Sequence, residues 1–426
     1  MTALGVLLWA ATGNALFLRL AYLATVVLAA AELLSIFLKR GIEFRRSTRH
    51  LRASVGDVFE ERFEVGINSL VGCPWLEVVN QSNLPGATGS KLLTNIKRRE
   101  KRIFLGRTVL THRGAFPLGP TVISAGDPFG LFPIEMQIPS NQTLIVLPMI
   151  YPLENFPPPP GLLPGGKTIR VKTQDVTPHA AGVREYNPGD PMKRIHWKST
   201  ARRNRIMVKE FEQDPQAEIW LFVDGKRDVH AAKIQEKSTR VEERIFKGRS
   251  EVNLPCDSFE YALSTAGSLA QYYIHNRRSV GLVCTSAHTT ILPSERGERQ
   301  LGKILETLAF LQADGATALQ SVVSMQARQL PLGSGVILIS PSTSPGMLVA
   351  VEELQHRNLR PIIIFLRADT FGGEDREQEA WLRSILAMNI PVIRVGYGDD
   401  LRNLSLPGFS MQRTFFPSTY TRKQAG

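Results

Sequence analysis

Cysteine is scarce in this chain of 426 residues, which has only three: Cys73, Cys256 and Cys284. They lie far apart, so the sequence has neither a disulfide framework nor the CxxC spacing of a structural zinc site. This usage is typical of a reducing compartment. We expect all three side chains to be small buried hydrophobic groups.

The sequence also lacks the motifs of common enzyme mechanisms. There is no GxSxG nucleophile elbow, and the near neighbours Ser286 and His288 form a pattern that is common by chance. Residues 161–168 match the phosphate-loop pattern GxxxxGK[ST], but four prolines precede them where that loop needs a buried strand. We interpret the match as coincidence. The chain is therefore predicted to be non-enzymatic and to use no cofactor.

Acidic residues are in deficit: 39 Asp and Glu stand against 51 Lys and Arg, which gives a formal net charge of +12. This balance favours an anionic partner, which could be nucleic acid, a phospholipid surface or an acidic protein. The hydrophobic fraction of 43% excludes a chain that is disordered throughout.

Charge is nearly absent from residues 1–38, which contain only Arg19 and Glu32. At about 1.5 Å per residue, residues 15–38 are long enough to cross a hydrocarbon layer of about 30 Å. We therefore predict a membrane anchor over residues 1–40, with the pair Gly13 and Asn14 as the candidate turn of a helical hairpin. The number of crossings stays open. A cleaved signal peptide is the alternative, but no basic region precedes the apolar run.

A cluster of cations follows the apolar run directly and predicts which side of the membrane the chain occupies. It consists of Lys39, Arg40, Arg45, Arg46 and Arg49. Such a cluster stays on the cytoplasmic side. We expect a cell-membrane protein with the bulk of its chain in the cytoplasm.

Residues 41–150 have the period of strands, since Phe59, Phe63 and Val65 fall on alternate positions with charged residues between them. Several short strands at this spacing predict a β-sandwich domain. Residues 151–181 are rich in proline and glycine and are predicted to be a linker.

Residues 182–214 contain a basic motif with no acidic residue between Lys193 and Lys209. The rigid turn before it places Asp190 where it can cap a helix that has Pro191 at its first position. Trp197 is a large apolar side chain among these cations. We expect Trp197 and Asp190 to be local structure, so that their replacement by alanine destabilises the fold.

Residues 215–400 change in style, because continuous apolar runs such as GVILIS and RPIIIFL are typical of parallel strands covered on both faces. Amphipathic helices fit between them, one of which follows the capping box Asp257–Glu260. The fold class is therefore α+β multidomain, with a doubly wound α/β domain after the β-sandwich and a C-terminal tail over residues 401–426.

The basic motif resembles the signature of the Domain of Unknown Function 58 (DUF58) family, and further matches lie at Arg113–Gly114, at residues 118–120 and at residues 127–132. The residues of the motif that carry the resemblance, and that we name as candidate partner-binding residues, are Arg184, Glu185, Tyr186, Pro188, Gly189, Asp190, Arg194, Trp197, Lys198, Arg202 and Arg203, of which Arg203 is added for its charge.

The resemblance implies a membrane-anchored protein whose last domain is similar to a von Willebrand factor type A domain, a fold that often carries a metal site. Here that site is degenerate. Asp224 and Asp228 keep carboxylates, Lys226 brings a cation among the ligands, and Thr317 is only a candidate hydroxyl donor. We therefore expect no bound metal.

Members of the family are commonly encoded beside MoxR-type AAA+ ATPases. The resemblance thus implies a scaffold or adaptor that works with such an ATPase and with other membrane proteins. The basic motif is then either a docking element or a buried ion-pair cluster between domains. Nucleic-acid or anionic-lipid binding by the same cations is the alternative function; nucleic acid is the less favoured partner because Trp197 is the only aromatic residue in the basic core.

The charge pattern makes a prediction about topology. A green fluorescent protein fused after Gly426 should fluoresce, and an alkaline phosphatase fused at the same place should be inactive, because the basic cluster retains the chain in the cytoplasm. An active phosphatase fusion would instead support the signal-peptide alternative.

Overall fold

The computed structural model of the chain describes residues 2–153, 156, 180–187, 192, 195–211, 218–233, 254–374 and 378–404. Within them the chain is a mixed α/β protein that forms two units. The main segment of the first unit is Met1–Ile150, and the second contains Tyr151–Ile234, Cys256–Ile304 and Gln312–Gly426. Most of the predicted linker and the predicted tail after residue 404 lie outside the described residues.

Two helices open the first unit, α1 (Thr2–Thr12) and α2 (Ala15–Gly41). The predicted turn between them is confirmed. Gly13 has a φ of 67°, and the side chain of Asn14 caps α2 by accepting a hydrogen bond from the backbone N–H of Leu16 at 3.0 Å. By length and composition α2 is able to cross a membrane, and a signal sequence near an N-terminus has the same properties.

Ten strands follow α2 in the first unit. They are β1 (Ile42–Thr48), β2 (Arg52–Ser54), β3 (Val58–Ile67), β4 (Cys73–Asn80), β5 (Lys91–Ile96), β6 (Lys101–Val109), β7 (Gly114–Pro117), β8 (Thr121–Gly126), β9 (Ile134–Ile138) and β10 (Thr143–Leu147). Two antiparallel sheets have the orders β1-β3-β6 and β5-β4-β8-β9. A third, small sheet has the order β2-β10-β7.

One hydrophobic core is shared by the two antiparallel sheets. Phe63 and Val65 of β3 belong to the same buried cluster as Leu76 of β4 and Ile123 of β8, and Leu38 of α2 is fully buried in it. The predicted alternation along β3 is confirmed from Phe59 onward, because Phe59, Phe63 and Val65 are buried while Arg62 is exposed. Each face of β3 therefore has the polarity that its sequence indicates, with one exception.

The exception is Glu61, which lies in phase with the apolar residues of β3 and is 1% exposed. Its carboxylate pairs with the guanidinium of Arg46, which also lies 5.4 Å from the ring centroid of Phe63. From the other antiparallel sheet, Asn80 donates to Glu61 at 3.3 Å, and Thr121 accepts from Arg46 at 3.5 Å. The buried ion pair of one sheet thus has its further hydrogen-bond partners in the other sheet.

The second unit contains the remaining described elements. They are β11 (Ala180–Glu185), α3 (Trp197–Arg203), β12 (Met207–Phe211), β13 (Ile219–Asp224), α4 (Ser258–His275), β14 (Val280–Thr285), β15 (Thr289–Glu295), α5 (Glu298–Phe310), α6 (Leu319–Gln326), β16 (Gly335–Ser340), α7 (Pro345–His356), β17 (Arg360–Leu366), α8 (Gln378–Ala387) and β18 (Val392–Val395).

A six-stranded sheet with the order β15-β14-β13-β16-β17-β18 is the centre of the second unit. All its neighbouring strands are parallel except the edge pair β14 and β15. One face packs against α6, α7 and α8 through a core that includes Phe222, Leu338 and Phe365. Helix α4 contacts β13, β14, β16 and β17 and begins as predicted, with the carboxylate of Asp257 accepting from the N–H of Phe259 at 2.8 Å.

The buried ion pair makes a prediction about stability. Glu61→Ala leaves the guanidinium of Arg46 buried without its counter-charge, and it should lower the free energy of unfolding by about 3–5 kcal/mol. Glu60 is the matched control on the same strand, since its ion pair with Arg107 is solvent-exposed at both side chains. Glu60→Ala should cost at most about 1 kcal/mol. Denaturation of the full chain in detergent measures both values, and equal costs would contradict the prediction.

Candidate functional site

The basic motif is built on an antiparallel hairpin of β11 and β12, in which Glu185 pairs with Met207 and Val183 with Lys209. Between the two strands, the N–H of Tyr186 donates to the carbonyl of Ile206 at 2.9 Å. The hairpin therefore fixes both ends of the connecting segment.

The described helix of the motif is α3, which starts at Trp197. Its cap is His196, whose Nδ1 accepts from the N–H of Ser199 at 3.2 Å. The predicted cap Asp190 and the predicted first position Pro191 lie outside the described residues. At the other end Asn204 takes a left-handed conformation with a φ of 49°, which ends the helix after two turns.

Helix α3 buries none of its seven residues. The side chain of Trp197 is 70% exposed, and Lys198, Arg202 and Arg203 are exposed with it. The interpretation that Trp197 is buried in an ion-pair cluster is therefore wrong, and its exposure argues against the expectation that its replacement by alanine destabilises the fold. A tryptophan among cations on an uncovered helix is instead available to a partner.

The other predicted motif residues have mixed outcomes. Glu185 forms an ion pair with Arg205 at 3.0 Å, with side chains 61% and 73% exposed, so this pair is solvated rather than buried. Tyr186 is half-buried. Arg184 pairs through its backbone with Val208 of β12. Outside the described residues lie the remaining members, Pro188, Gly189, Asp190 and Arg194.

A second candidate site is a cleft of about 500 Å³ at the carboxyl ends of the parallel strands, where ligands of open α/β sheets usually bind. Asp224 closes β13 at its base and is 1% exposed. Its carboxylate accepts hydrogen bonds from the hydroxyl of Ser340 at 2.6 Å and from the N–H of Lys226 at 3.1 Å. Thr285 adds a longer contact of 3.4 Å. Donors of the protein itself thus occupy both oxygens of Asp224.

His230 also lines this cleft, and sequence reasoning missed it. Its Nε2 donates to the carbonyl of Asp224 at 2.8 Å, so its Nδ1, 3.0 Å from the hydroxyl of Ser258, is the acceptor. Burial lowers the pKa of His230 below its ordinary value, because it disfavours the charged imidazolium. Because His230 is neutral and both of its ring nitrogens form hydrogen bonds, its role is structural. No local pattern marked it, since its partners lie at other strand and helix ends.

The predicted degenerate metal site takes the following form. Asp228 is exposed and lies 3.6 Å from the ammonium of Lys226, so that cation is paired within the cleft. Thr317 is exposed and is not among the residues that line the cleft. Among the described residues no group of three or more His, Cys, Asp or Glu side chains is arranged to hold a metal ion. The described residues that line the cleft include the hydroxyl groups of Ser342, Thr343 and Ser344, the paired Lys226, and the carboxylates of Asp228 and Glu374.

The remaining candidate nucleophiles of the described residues are Ser286 and the three cysteines. The hydroxyl of Ser286 donates to the backbone carbonyl of His288 at 3.2 Å and not to its imidazole. All three cysteines are free and buried, as predicted. Burial raises the pKa of Cys73 to about 11, which keeps its thiol protonated and unreactive at neutral pH.

Comparisons with known proteins find similarity to parts of the chain. The curated relative is an uncharacterized protein, YeaD of Bacillus subtilis (strain 168), which is 26% identical over 137 residues. This match covers 32% of the chain and spans only 27% of the length of YeaD.

Among solved structures, a von Willebrand factor type A protein from Catenulispora acidiphila matches with a TM-score of 0.27 and 12% identity, covering 45% of this chain and 41% of that one. A CARDB domain from Pyrococcus furiosus matches with a TM-score of 0.18 and 13% identity, covering 25% of this chain and 90% of that one.

A family model matches residues that include the basic motif and β13. The family is described as protein of unknown function DUF58, and the residues matched are 182–243. Over these residues, the chain is similar to the DUF58 family, as the motif itself indicated.

Proposed function

We propose that this chain is a membrane-anchored, non-enzymatic adaptor that docks an acidic surface of a partner protein on its basic motif. The observation that carries the proposal is the exposure of Trp197 among the cations of α3. The partner class that the family resemblance implies is a MoxR-type AAA+ ATPase. Other membrane proteins are further candidates for the same surface.

The physical argument starts from the helix itself. A helix of seven residues that buries no side chain gains little from packing, because helical stability in proteins comes mostly from buried faces. The hairpin holds α3 in place, since Thr200 accepts from the N–H of Met207 at 3.0 Å. Trp and Arg are the residues that contribute most often to binding energy at protein interfaces. Helix α3 presents both types on a positioned support.

The charges of α3 indicate the chemistry of the partner. Residues 196–206 contain four cations and no acidic residue, and Arg202 and Arg203 lie in the last turn, where the helix dipole favours positive charge. Guanidinium groups bind carboxylates in a two-pronged geometry that lysine does not provide. An acidic protein surface with an apolar notch for Trp197 is therefore the best fit.

We also propose an architecture for each of the two units. We propose that the two antiparallel sheets over residues 41–150 are a β-sandwich module, and that residues 215–400 are a doubly wound domain of the von Willebrand factor A type. Helix α2 would anchor the chain in the cell membrane, with the cations after it in the cytoplasm. In this arrangement the basic motif faces cytoplasmic partners.

Nucleic-acid binding remains the second candidate, and it makes different demands on α3. Single strands bind to platforms of several aromatic side chains, whereas Trp197 is the only aromatic residue of α3. Such binding would also weaken steeply with salt.

The docking proposal predicts a separation of stability from binding. Trp197→Ala and the pair Arg202→Glu with Arg203→Glu should leave the melting temperature of the full chain nearly unchanged, because the side chains are exposed. The same variants should lose most of their affinity for a MoxR-type ATPase from the same organism, measured by titration in detergent.

Matched controls come from the same unit. Met325 is 55% exposed and Arg328 is exposed, so Met325→Ala and Arg328→Glu remove an apolar group and a charge elsewhere. Both should bind the ATPase as the wild type does. Equal binding by the motif variants and these controls would refute docking through α3, and strong salt-dependent binding of single-stranded DNA that the motif variants lose would favour the alternative.

The cleft makes a prediction about metal. With Asp224 saturated by hydrogen bonds and the ammonium of Lys226 beside it, titration of the full chain with Mg²⁺ or Mn²⁺ at millimolar concentration should release no saturable heat. A one-site isotherm that Asp224→Ala abolishes would show that the site is functional despite Lys226.

A further inference from the structure

Three loops of the first unit lie at the same end of the two antiparallel sheets. Gly66 of β3 pairs with Lys101 of β6, which places residues 68–72 and 97–100 at that end. Cys73 pairs with Ile96, and Trp75 pairs with Gly126, so the loop of residues 127–133 lies there as well. We call this end, with its three loops, the anchor end.

Helix α2 reaches the module at the anchor end. Its last carbonyl, that of Gly41, accepts from the N–H of Asn68 at 2.6 Å. Six residues earlier, the hydroxyl of Ser35 donates to the carbonyl of Phe132 at 2.7 Å. At about 1.5 Å per residue, the loop of residues 127–133 thus lies about 9 Å further toward the N-terminus of α2 than the loop of residues 68–72.

The part of α2 before these contacts has the length of a bilayer core. Residues 15–33 span about 30 Å at 1.5 Å per residue, which equals the thickness of the hydrocarbon layer. Large apolar side chains such as Leu20, Leu23 and Val26 are exposed along it. If this part crosses the membrane, the anchor end lies against the lipid headgroups.

The loops of the anchor end expose apolar side chains that have no role in the core. Phe129 is 69% exposed and Leu131 is 49% exposed in the longest loop, and Leu70 is 63% exposed in the loop of residues 68–72. Clustered apolar groups of this size on a surface mark an interaction site. Their place around an apolar helix indicates lipid.

The loop that carries Phe129 and Leu131 is held in shape by Asp127, which is fully buried. Its carboxylate accepts from the N–H groups of Phe132 at 2.7 Å and Phe129 at 2.8 Å, and its own carbonyl accepts from the indole of Trp75 at 3.0 Å. Burial alone would raise the pKa of Asp127, but these backbone donors outweigh it and keep the pKa below its ordinary value. The apolar tip is therefore presented on a braced turn.

Cations lie at the same end of the sheets as the apolar tip. Exposed at the anchor end are Lys39, Arg40, Lys97, Arg98 and Arg99. Carboxylates lie nearby as well: Glu32 is exposed on α2 one turn before Ser35, Glu100 pairs with Arg102 at 2.9 Å, and Glu43 accepts from Asn68 at 3.2 Å. The excess of positive charge complements anionic lipids.

We propose that the anchor end is a lipid-binding surface, with Phe129, Leu131 and Leu70 inserted among acyl chains and headgroups and the five cations on anionic headgroups. The apolar tip lies deeper than the cations, as in proteins that bind the membrane interface by burying apolar groups about 5–10 Å. The proposal rests on the proposed membrane anchor and adds a second contact that fixes the orientation of the module on the bilayer.

The test places an environment-sensitive fluorophore on single added cysteines in the full chain, reconstituted in vesicles that contain phosphatidylglycerol. The native cysteines are buried and leave the labelling specific. Labels at Phe129→Cys and Leu70→Cys should show blue-shifted emission and quenching by brominated lipid. The label at Asn83→Cys, exposed in the loop at the opposite end of the sheets, should show neither.

Two further measurements separate lipid binding by the loops from anchoring by α2. A label at Leu23→Cys reports α2: if it is quenched and the label at Phe129→Cys is not, the lipid surface is refuted while the anchor stands, and if neither is quenched the anchor fails as well. Lys97→Gln with Arg98→Gln should reduce the blue shift at residue 129, whereas Arg49→Gln at the opposite end should not. A shift that disappears when the protein is diluted in lipid would reveal contact between protein copies and overturn the proposal.

Discussion

A carboxylate that is removed from water must be matched by hydrogen-bond donors, and this constraint fixes the parts of the chain that carry its proposed functions. Glu61, Asp127 and Asp224 are each at most 1% exposed. Each lies where elements distant in sequence must meet: Glu61 of β3 between Arg46 of β1 and Asn80 of the other antiparallel sheet, Asp127 in the loop beside α2, and Asp224 where the strands of the α/β sheet end. Because an unmatched charge in these places would be costly, the surrounding backbone has little freedom, and the exposed side chains nearby are displayed on rigid supports.

Local patterns predicted the elements that are defined by their own composition. The runs GVILIS and RPIIIFL are β16 and β17 residue for residue, because strands covered on both faces must be apolar throughout. The edge strand β15 was not predicted, because its residues alternate between exposed and half-buried, it contains Pro293, and only one of its faces is covered. The burial of Glu61 was not predicted for another reason. A charged residue in phase with apolar ones is explained only by its partner Arg46, which lies fifteen positions earlier in the chain. Such long-range pairs leave no local signal.

The two candidate sites illustrate this limit of local sequence patterns in different ways. At Asp224 the sequence indicated a degenerate metal site, and the neighbours that account for it, Ser340 and Lys226, could be named from the strand ends. At α3 the residue types were right and their environment was wrong, because composition assigns a tryptophan to the interior while only tertiary structure decides its burial. Trp197 is exposed, and its side chain therefore adds little buried apolar surface to the fold.

Exposure of large apolar side chains is also what links the basic motif to the loops beside α2. A soluble surface tolerates scattered apolar residues, but Trp197 and the pair Phe129 and Leu131 each stand beside cations on braced backbone. The two surfaces differ in what their hydrogen bonds hold in place. His196 and Thr200 fix a helix that carries a single aromatic ring, which suits a notch in one protein partner. Asp127 fixes a loop that carries several apolar groups beside an apolar helix, which suits a fluid lipid layer without fixed notches. A chain held to the membrane at two places keeps its orientation there. If both proposed membrane contacts form, the geometry of the first unit limits the orientations that this unit can take on the bilayer.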